Sequence, residues 1–160
     1  MLRKVEIIKE CKKMIDSTYD MFKDMYESGI GTGLSRTLQD IFKNDIICVA
    51  LYFAASDRTV SDLETAFLNA LFDVDLSGER YLEICIEKDI YSKEFEDLEL
   101  VSLYSAKAFD KATKQTKLFD VILNVFKRIS AELLKIDGLH EQEIEDFEIY
   151  FSKLENKYSL

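Results

Sequence analysis

The chain contains no proline among its 160 residues and only five glycines. Proline and glycine interrupt helices most strongly, because proline lacks the amide hydrogen and glycine loses the most backbone entropy on folding. Helices in this chain can therefore run long. No segment keeps the alternation of apolar and polar residues that is typical of a half-buried strand. The sequence predicts an all-α fold.

Apolar residues recur at every third or fourth position, which places their side chains on one face of a helix. This spacing predicts helices over residues 2–28, 35–55, 61–72, 81–90, 98–108 and 113–135, and a last helix from residue 140. A chain of this length is most economically one domain. We therefore expect a single-domain bundle of about six or seven helices. Residues 1–34 form an N-terminal helix and a glycine-containing connection, residues 35–160 form the main helical domain, and the two make one compact unit.

Two segments about eighty residues apart resemble each other. Residues 57–64 read DRTVSDLE and residues 137–143 read DGLHEQE. In each segment an aspartate lies in a short turn after an apolar helix, and a glutamate follows near the start of the next helix. Two copies of one unit in a small chain indicate an internal pseudo-duplication of the helical domain.

The duplication places carboxylates at equivalent positions, and halves that pack face to face would bring them together. The four candidate metal ligands are Asp57, Glu64, Asp137 and Glu143, with His140 and Glu141 as auxiliary groups. Oxygen ligands of this kind suit calcium, magnesium or manganese. The alternative interpretation is structural: the two aspartates form turns and the two glutamates cap helices. The Ser61-x-x-Glu64 pattern fits a capping box.

The chain carries a formal net charge of −10. Such a surface repels nucleic-acid phosphate and favours basic partners, so we expect a protein partner and no nucleic acid. No apolar run approaches the roughly 18 residues of a membrane span, which predicts no membrane insertion. Cys11, Cys48 and Cys85 lie far apart, which favours buried thiols in a reducing compartment. The expected location is the cytoplasm.

Three other sequence patterns do not predict a binding or catalytic site. The glycine-rich residues 29–33 follow a helix and lack the lysine of a phosphate-binding loop. Residues 73–78 begin like a calcium loop but lack the glutamate at its twelfth position, so we expect a helix stop with Asp75 or Ser77 capping the next helix. His140 is the sole histidine, and no serine or cysteine lies in a nucleophile elbow. We therefore expect no enzyme activity.

From about Lys43 onward the chain resembles the TerB-like (tellurite-resistance) domain family. The matching residues are 54–57 with Ser61-x-x-Glu64, and 136–138 with Glu143. Arg58 stands where the family has glycine, and the second turn is one residue shorter. The resemblance implies a non-enzymatic all-α module linked to stress response or chemical resistance, with a divalent cation between the two acidic turns.

A metal-free role is the alternative. The chain would then be a protein–protein interaction scaffold or adaptor that uses its acidic surface and its N-terminal helix. That helix also offers a surface for a second copy of the chain, which would give a homodimer. On the last helix, Phe147, Tyr150 and Phe151 exceed what one narrow buried face needs, and part of that surface is available to a partner.

Overall fold

The computed structural model describes residues 2–27, 38–55, 58–114, 117–136, 138 and 141–158. These residues form seven α-helices and no strand, which confirms the predicted all-α fold of six or seven helices. The helices are α1 (Leu2–Glu27), α2 (Leu38–Ala54), α3 (Asp62–Phe72), α4 (Gly78–Glu87), α5 (Val101–Thr113), α6 (Leu118–Ile136) and α7 (Glu141–Tyr158). Two 3-10 turns, Ile90–Ser92 and Phe95–Asp97, lie between α4 and α5. No described helix is both long and apolar enough to span a membrane.

Helix α3 begins with the capping box that the sequence predicts. The Ser61 hydroxyl accepts a hydrogen bond from the Glu64 amide at 3.1 Å, and a Glu64 carboxylate oxygen accepts one from the Ser61 amide at 3.0 Å. Both bonds satisfy amides that the first turn of a helix leaves without a partner. The predicted capping box at Ser61 and Glu64 is therefore confirmed.

Helix α4 begins three residues before the predicted start because Ser77 caps it. The Ser77 hydroxyl accepts a hydrogen bond from the Arg80 amide at 3.0 Å. Helix α3 stops at Asp73, whose φ of 53° is left-handed. The expected helix stop and the expected cap at Ser77 are both confirmed.

Asn69 fixes the connection between α3 and α4. Its side chain donates a hydrogen bond to the Leu76 carbonyl at 2.8 Å and accepts one from the Leu76 amide at 3.1 Å. The hydroxyl of buried Tyr81 donates to the same amide oxygen at 2.6 Å. At Gly78, an added Cβ would lie 2.9 Å from the Val60 carbonyl oxygen, so the chain approaches here more closely than any larger residue allows.

The chain divides into two compact units. Unit 1 comprises Met1–Ile47 and Glu99–Phe126, and unit 2 comprises Cys48–Leu98 and Lys127–Leu160. The boundary predicted at residue 34 lies outside the described residues and stays a prediction. The described members of the two carboxylate pairs, Glu64 and Glu143, both belong to unit 2.

Aromatic packing around Phe42 joins three helices of unit 1. The Phe42 ring on α2 lies 5.3 Å from the Phe22 ring on α1 and 6.0 Å from the Phe126 ring on α6. All three side chains are fully buried. Ring pairs at these distances contribute about 0.5–1.5 kcal/mol each beyond the area that they bury.

Two aspartates cap helices of unit 1 from a distance in the sequence. Asp45 on α2 is buried, and one of its oxygens accepts hydrogen bonds from the Ser102 amide at 2.7 Å and the Ser102 hydroxyl at 2.5 Å. Asp110 accepts hydrogen bonds from the amides of Leu118 and Phe119 at 3.0 and 2.9 Å. Negative charge at a helix N-terminus complements the helix dipole, so these carboxylates fix where α5 and α6 begin.

We expect Asp45→Ala to lower the free energy of unfolding by about 3 kcal/mol, because it removes a charged acceptor and leaves two buried donors of Ser102 unsatisfied. Urea denaturation measures this change. Asp20→Ala, an exposed position on α1 of the same unit, is the control and should change stability by less than about 0.5 kcal/mol. Equal effects of the two substitutions would contradict the capping role of Asp45.

Candidate functional site

Unit 2 is organised around an aromatic cluster of six rings. Two come from the end of α2, one from the second 3-10 turn and three from α7: Tyr52, Phe53, Phe95, Phe147, Tyr150 and Phe151. The sequence brings them together because Tyr52 and Phe53 are adjacent, while the α7 rings recur at three- and four-residue spacing on one helix face. The three α7 rings are the aromatic residues that, from the sequence, were more than one narrow buried face of a helix needs.

Phe95 and Phe53 form the buried centre of the aromatic cluster. The Phe95 ring lies 5.4 Å from Phe53, 5.2 Å from Tyr52 and 5.0 Å from Phe151. Both phenylalanines are buried, whereas Tyr52 and Tyr150 are half-buried. The Tyr52 and Tyr150 rings lie 5.6 Å apart and almost perpendicular to each other. The cluster therefore places two tyrosines at its surface.

These two tyrosines form part of a pocket of about 280 Å³ in unit 2. The pocket is lined by Tyr52, Phe53, Ile90, Tyr91, Lys93, Leu134, Glu143, Asp146 and Tyr150. Four of these side chains are aromatic and three are charged. Pockets that combine apolar walls with a few polar groups are the usual form of a binding site.

Negative charge surrounds the tyrosines of the pocket. Burial chiefly, together with Tyr150, Glu94 and Glu96, raises the pKa of Tyr52 to about 12. Glu143 and Asp146 add two carboxylates to the pocket wall. The electrostatic field here thus disfavours a further negative charge and favours a positive one.

One side-chain oxygen of Glu96 is buried. Its Oε2 atom is buried and accepts no hydrogen bond within the part of the chain that the structure describes. The backbone carbonyl of the same residue accepts a hydrogen bond from the Lys157 ammonium at 2.7 Å. Glu96 is also one of the groups that raise the pKa of Tyr52.

Tyr91 at the pocket already contacts a guanidinium group. The Cζ atom of Arg58 lies 5.4 Å from the centre of the Tyr91 ring, within cation–π range. Arg58 is exposed and has a left-handed φ of 63°, which is uncommon for a residue other than glycine. Tyr91 also shares a hydrogen bond with the buried thiol of Cys85, whose pKa is raised chiefly by burial.

The predicted metal ligands divide into described and undescribed residues. Glu64 is buried in the capping box of α3, and Glu143 lies half-buried in the pocket wall. Asp57, Asp137 and His140 lie outside the described residues, as does the side chain of Glu141. Among the described residues, no group of three or more histidine, cysteine, aspartate or glutamate side chains could hold a metal ion.

Two residues of the pocket were predicted as functional from the sequence. Glu143 was predicted as a metal ligand, and Tyr150 as part of an aromatic surface available to a partner. Tyr52, Tyr91 and Asp146 were not predicted as site residues. Tyr91 lies in a 3-10 turn and Tyr52 on a helix 98 residues before Tyr150, so no local spacing links them. The available signal was the aromatic excess on α7.

Comparison of the chain with protein-family models, with curated proteins and with solved structures found no match in any of the three.

We expect the stability of the protein to fall as the pH rises from about 10 to about 12. Burial raises the pKa of Tyr52 and of Tyr81 from 10.0 to about 12, so the folded state keeps protons that the unfolded state releases in this range. The stabilisation is complete below the unfolded pKa and is lost as the pH passes through the folded pKa. Urea denaturation at several pH values measures the slope.

Tyr52→Phe and Tyr81→Phe should each reduce that slope, because each removes one group that retains its proton on folding. Tyr104→Phe changes a ring that is 72% exposed and serves as the control. A slope that is identical in the chain and in all three variants would contradict the assignment.

Proposed function

We propose that the chain is a non-enzymatic binding module whose unit 2 pocket holds a positively charged group of a protein partner. The observation that carries the proposal is the combination of aromatic faces and carboxylates around one cavity of about 280 Å³. A cation over an aromatic ring gains about 0.5–2 kcal/mol, and a hydrogen bond to a charged group contributes about 1.5–3 kcal/mol. Both interactions favour a cation in this pocket.

The balance of charges supports the same ligand class. Glu143 and Asp146 line the pocket together with Lys93, and Glu94 and Glu96 act on Tyr52 from beside it. With Arg58 over Tyr91, four carboxylates face two cationic side chains at this site. The net charge of −10 for the whole chain would steer a basic partner toward the protein and accelerate its association.

We expect a heptapeptide that contains lysine and arginine to shift the backbone amide signals of Tyr91, Asp146 and Tyr150 in nuclear magnetic resonance spectra. The double substitution Glu143→Gln with Asp146→Asn should weaken binding at least about tenfold, because it removes both carboxylates of the pocket wall. Affinity should also fall as salt is added.

The matched control is Glu145→Gln with Glu148→Gln, which removes two charges from exposed positions of the same helix. This variant should bind the peptide within about twofold of the unchanged chain, because exposed charges are screened. Equal weakening in both double variants would mean that overall charge, rather than the pocket, holds the peptide. That result would contradict the proposal.

A divalent cation held between the two acidic turns is the second candidate function. Two observations favour it: the resemblance to TerB-like domains, and the presence of Glu64 and Glu143 in the same unit. Glu64 places one oxygen in its capping box, so Asp57 and Asp137 would be the principal ligands. A bound cation would then bridge the two turns and set the shape of the surface that a partner meets.

Calorimetric titration with calcium, magnesium and manganese tests the cation site. We expect heat of binding in the millimolar range or tighter, and its loss in the variant Asp57→Ala with Asp137→Ala. The control variant Asp62→Ala with Asp75→Ala removes the same charge from exposed positions of unit 2 and should leave the binding unchanged. If titration of the unchanged chain gives no heat of binding, this function is excluded.

The biological setting remains part of the proposal. A TerB-like module would act in a stress or chemical-resistance response in the cytoplasm, and the acidic surface and α1 would serve as its scaffold surfaces.

A further inference from the structure

We infer that the group held in the unit 2 pocket is the guanidinium of an arginine side chain within a partner polypeptide. The inference rests on the proposed function of the same pocket. It narrows the ligand from any positively charged group to the guanidinium of an arginine. Five observations carry it: the size of the cavity, its aromatic walls, the placement of its carboxylates, an arginine that lies over one of the lining rings, and exposed apolar residues on the lining elements.

The cavity is the size of a single residue. Its volume of about 280 Å³ lies just below the range of about 300–1,000 Å³ that is typical of sites for drug-sized molecules. One long side chain with its head group fits such a space, whereas a folded element does not. The partner therefore inserts a side chain.

The walls of the pocket favour a flat cation. Tyr52, Tyr91 and Tyr150 present aromatic rings, and a planar guanidinium stacks on such rings by cation–π and π interactions together. Guanidinium is also more weakly hydrated than an ammonium group, so it loses less on leaving water. Lysine would have to shed a compact and strongly bound hydration shell to enter.

The carboxylates match the donors of a guanidinium. Glu143 and Asp146 lie three residues apart on α7, so their side chains lie on the same face of the helix. A guanidinium offers five N–H donors in a fixed planar fork, and carboxylates accept them in pairs. Tyrosine hydroxyls in the wall can accept hydrogen bonds from the N–H groups that do not bond to the carboxylates.

The chain itself supplies a guanidinium–tyrosine contact at this site. Arg58 stacks over Tyr91 with 5.4 Å between Cζ and the ring centre. The contact forms although Arg58 has a left-handed backbone, a conformation that usually favours glycine. Tyr91 is therefore a ring on which an arginine stacks in this protein.

Exposed apolar residues on the elements that line the pocket favour a polypeptide over a small free guanidine. Ile149 is 49% exposed and lies three residues after Asp146 and directly before Tyr150. Tyr91 is 36% exposed at the pocket. The residues that flank a partner arginine can bury this apolar surface, whereas a free guanidine cannot reach it.

The test uses three peptides that differ at one central position, with arginine, lysine or citrulline between leucine and glycine residues. Citrulline keeps the planar shape of arginine but has no charge. We expect the arginine peptide to shift the amides of Tyr91, Asp146 and Tyr150, the lysine peptide to bind about five- to tenfold more weakly, and the citrulline peptide more weakly still. Free agmatine, which carries a guanidinium without a peptide, should bind more weakly than the arginine peptide.

The possible results separate this inference from the proposed function. Equal binding of the arginine and lysine peptides at the pocket overturns the guanidinium inference and leaves the binding of a positively charged group intact. If agmatine binds as tightly as the arginine peptide, the inference that the guanidinium belongs to a polypeptide is wrong. Peptides that leave the pocket amides unshifted overturn both the inference and the proposed function.

Substitutions at Tyr91 test the stacking directly. Tyr91→Leu removes the ring and should bring the affinities of the arginine and lysine peptides to within about twofold of each other. Tyr91→Phe keeps the ring and should preserve the preference. Tyr104→Leu, at an exposed ring on α5, is the control. A preference for arginine that survives Tyr91→Leu unchanged would overturn the stacking argument.

Discussion

The packing of Phe53 and Phe95 at the centre of the aromatic cluster is the constraint on which the rest of unit 2 depends. Both rings are buried, and they contact rings from the end of α2 and from α7. Contacts of this kind stabilise the fold, but they also determine where Tyr52 and Tyr150 lie at the surface. The pocket thus borders the core, because two of its tyrosine walls pack against the buried Phe95 ring.

Unit 1 is stabilised by a different combination of interactions. Its ring contacts around Phe42 are supplemented by two buried or half-buried aspartates, Asp45 and Asp110, that cap helices α5 and α6 through side-chain hydrogen bonds. Acidic residues of this chain therefore serve at least two purposes within the described residues. Some hold helix ends in place, and others, such as Glu143 and Asp146, line the pocket.

The fold could be predicted from the sequence to a large extent, because the absence of proline and the three- and four-residue apolar spacing act locally. The start of α3 followed from the Ser61-x-x-Glu64 pattern for the same reason. The apolar spacing placed the start of α4 three residues too late, although Ser77 was one of the two caps that the sequence predicted. Leu98 extended the predicted fifth helix too early, because it is buried in the connection before α5 rather than in a helix.

The candidate site was less accessible to sequence reasoning, because its walls come from segments far apart in the chain. Glu143 was selected by comparing two acidic turns, and Tyr150 by the number of aromatic residues on α7. Tyr52, Tyr91 and Asp146 carry no local pattern that separates a pocket wall from an ordinary half-buried face. The metal-site prediction depends on Asp57 and Asp137, which lie outside the described residues, and it stays a prediction.

The most direct measurement of the central claim is a set of intermolecular nuclear Overhauser effects between a bound arginine peptide and the protein. The account predicts effects between the δ-methylene protons of the peptide arginine and the ring protons of Tyr52, Tyr91 and Tyr150. Effects that instead join the arginine to Tyr104 or to residues of α1, with none at the three pocket tyrosines, would contradict it.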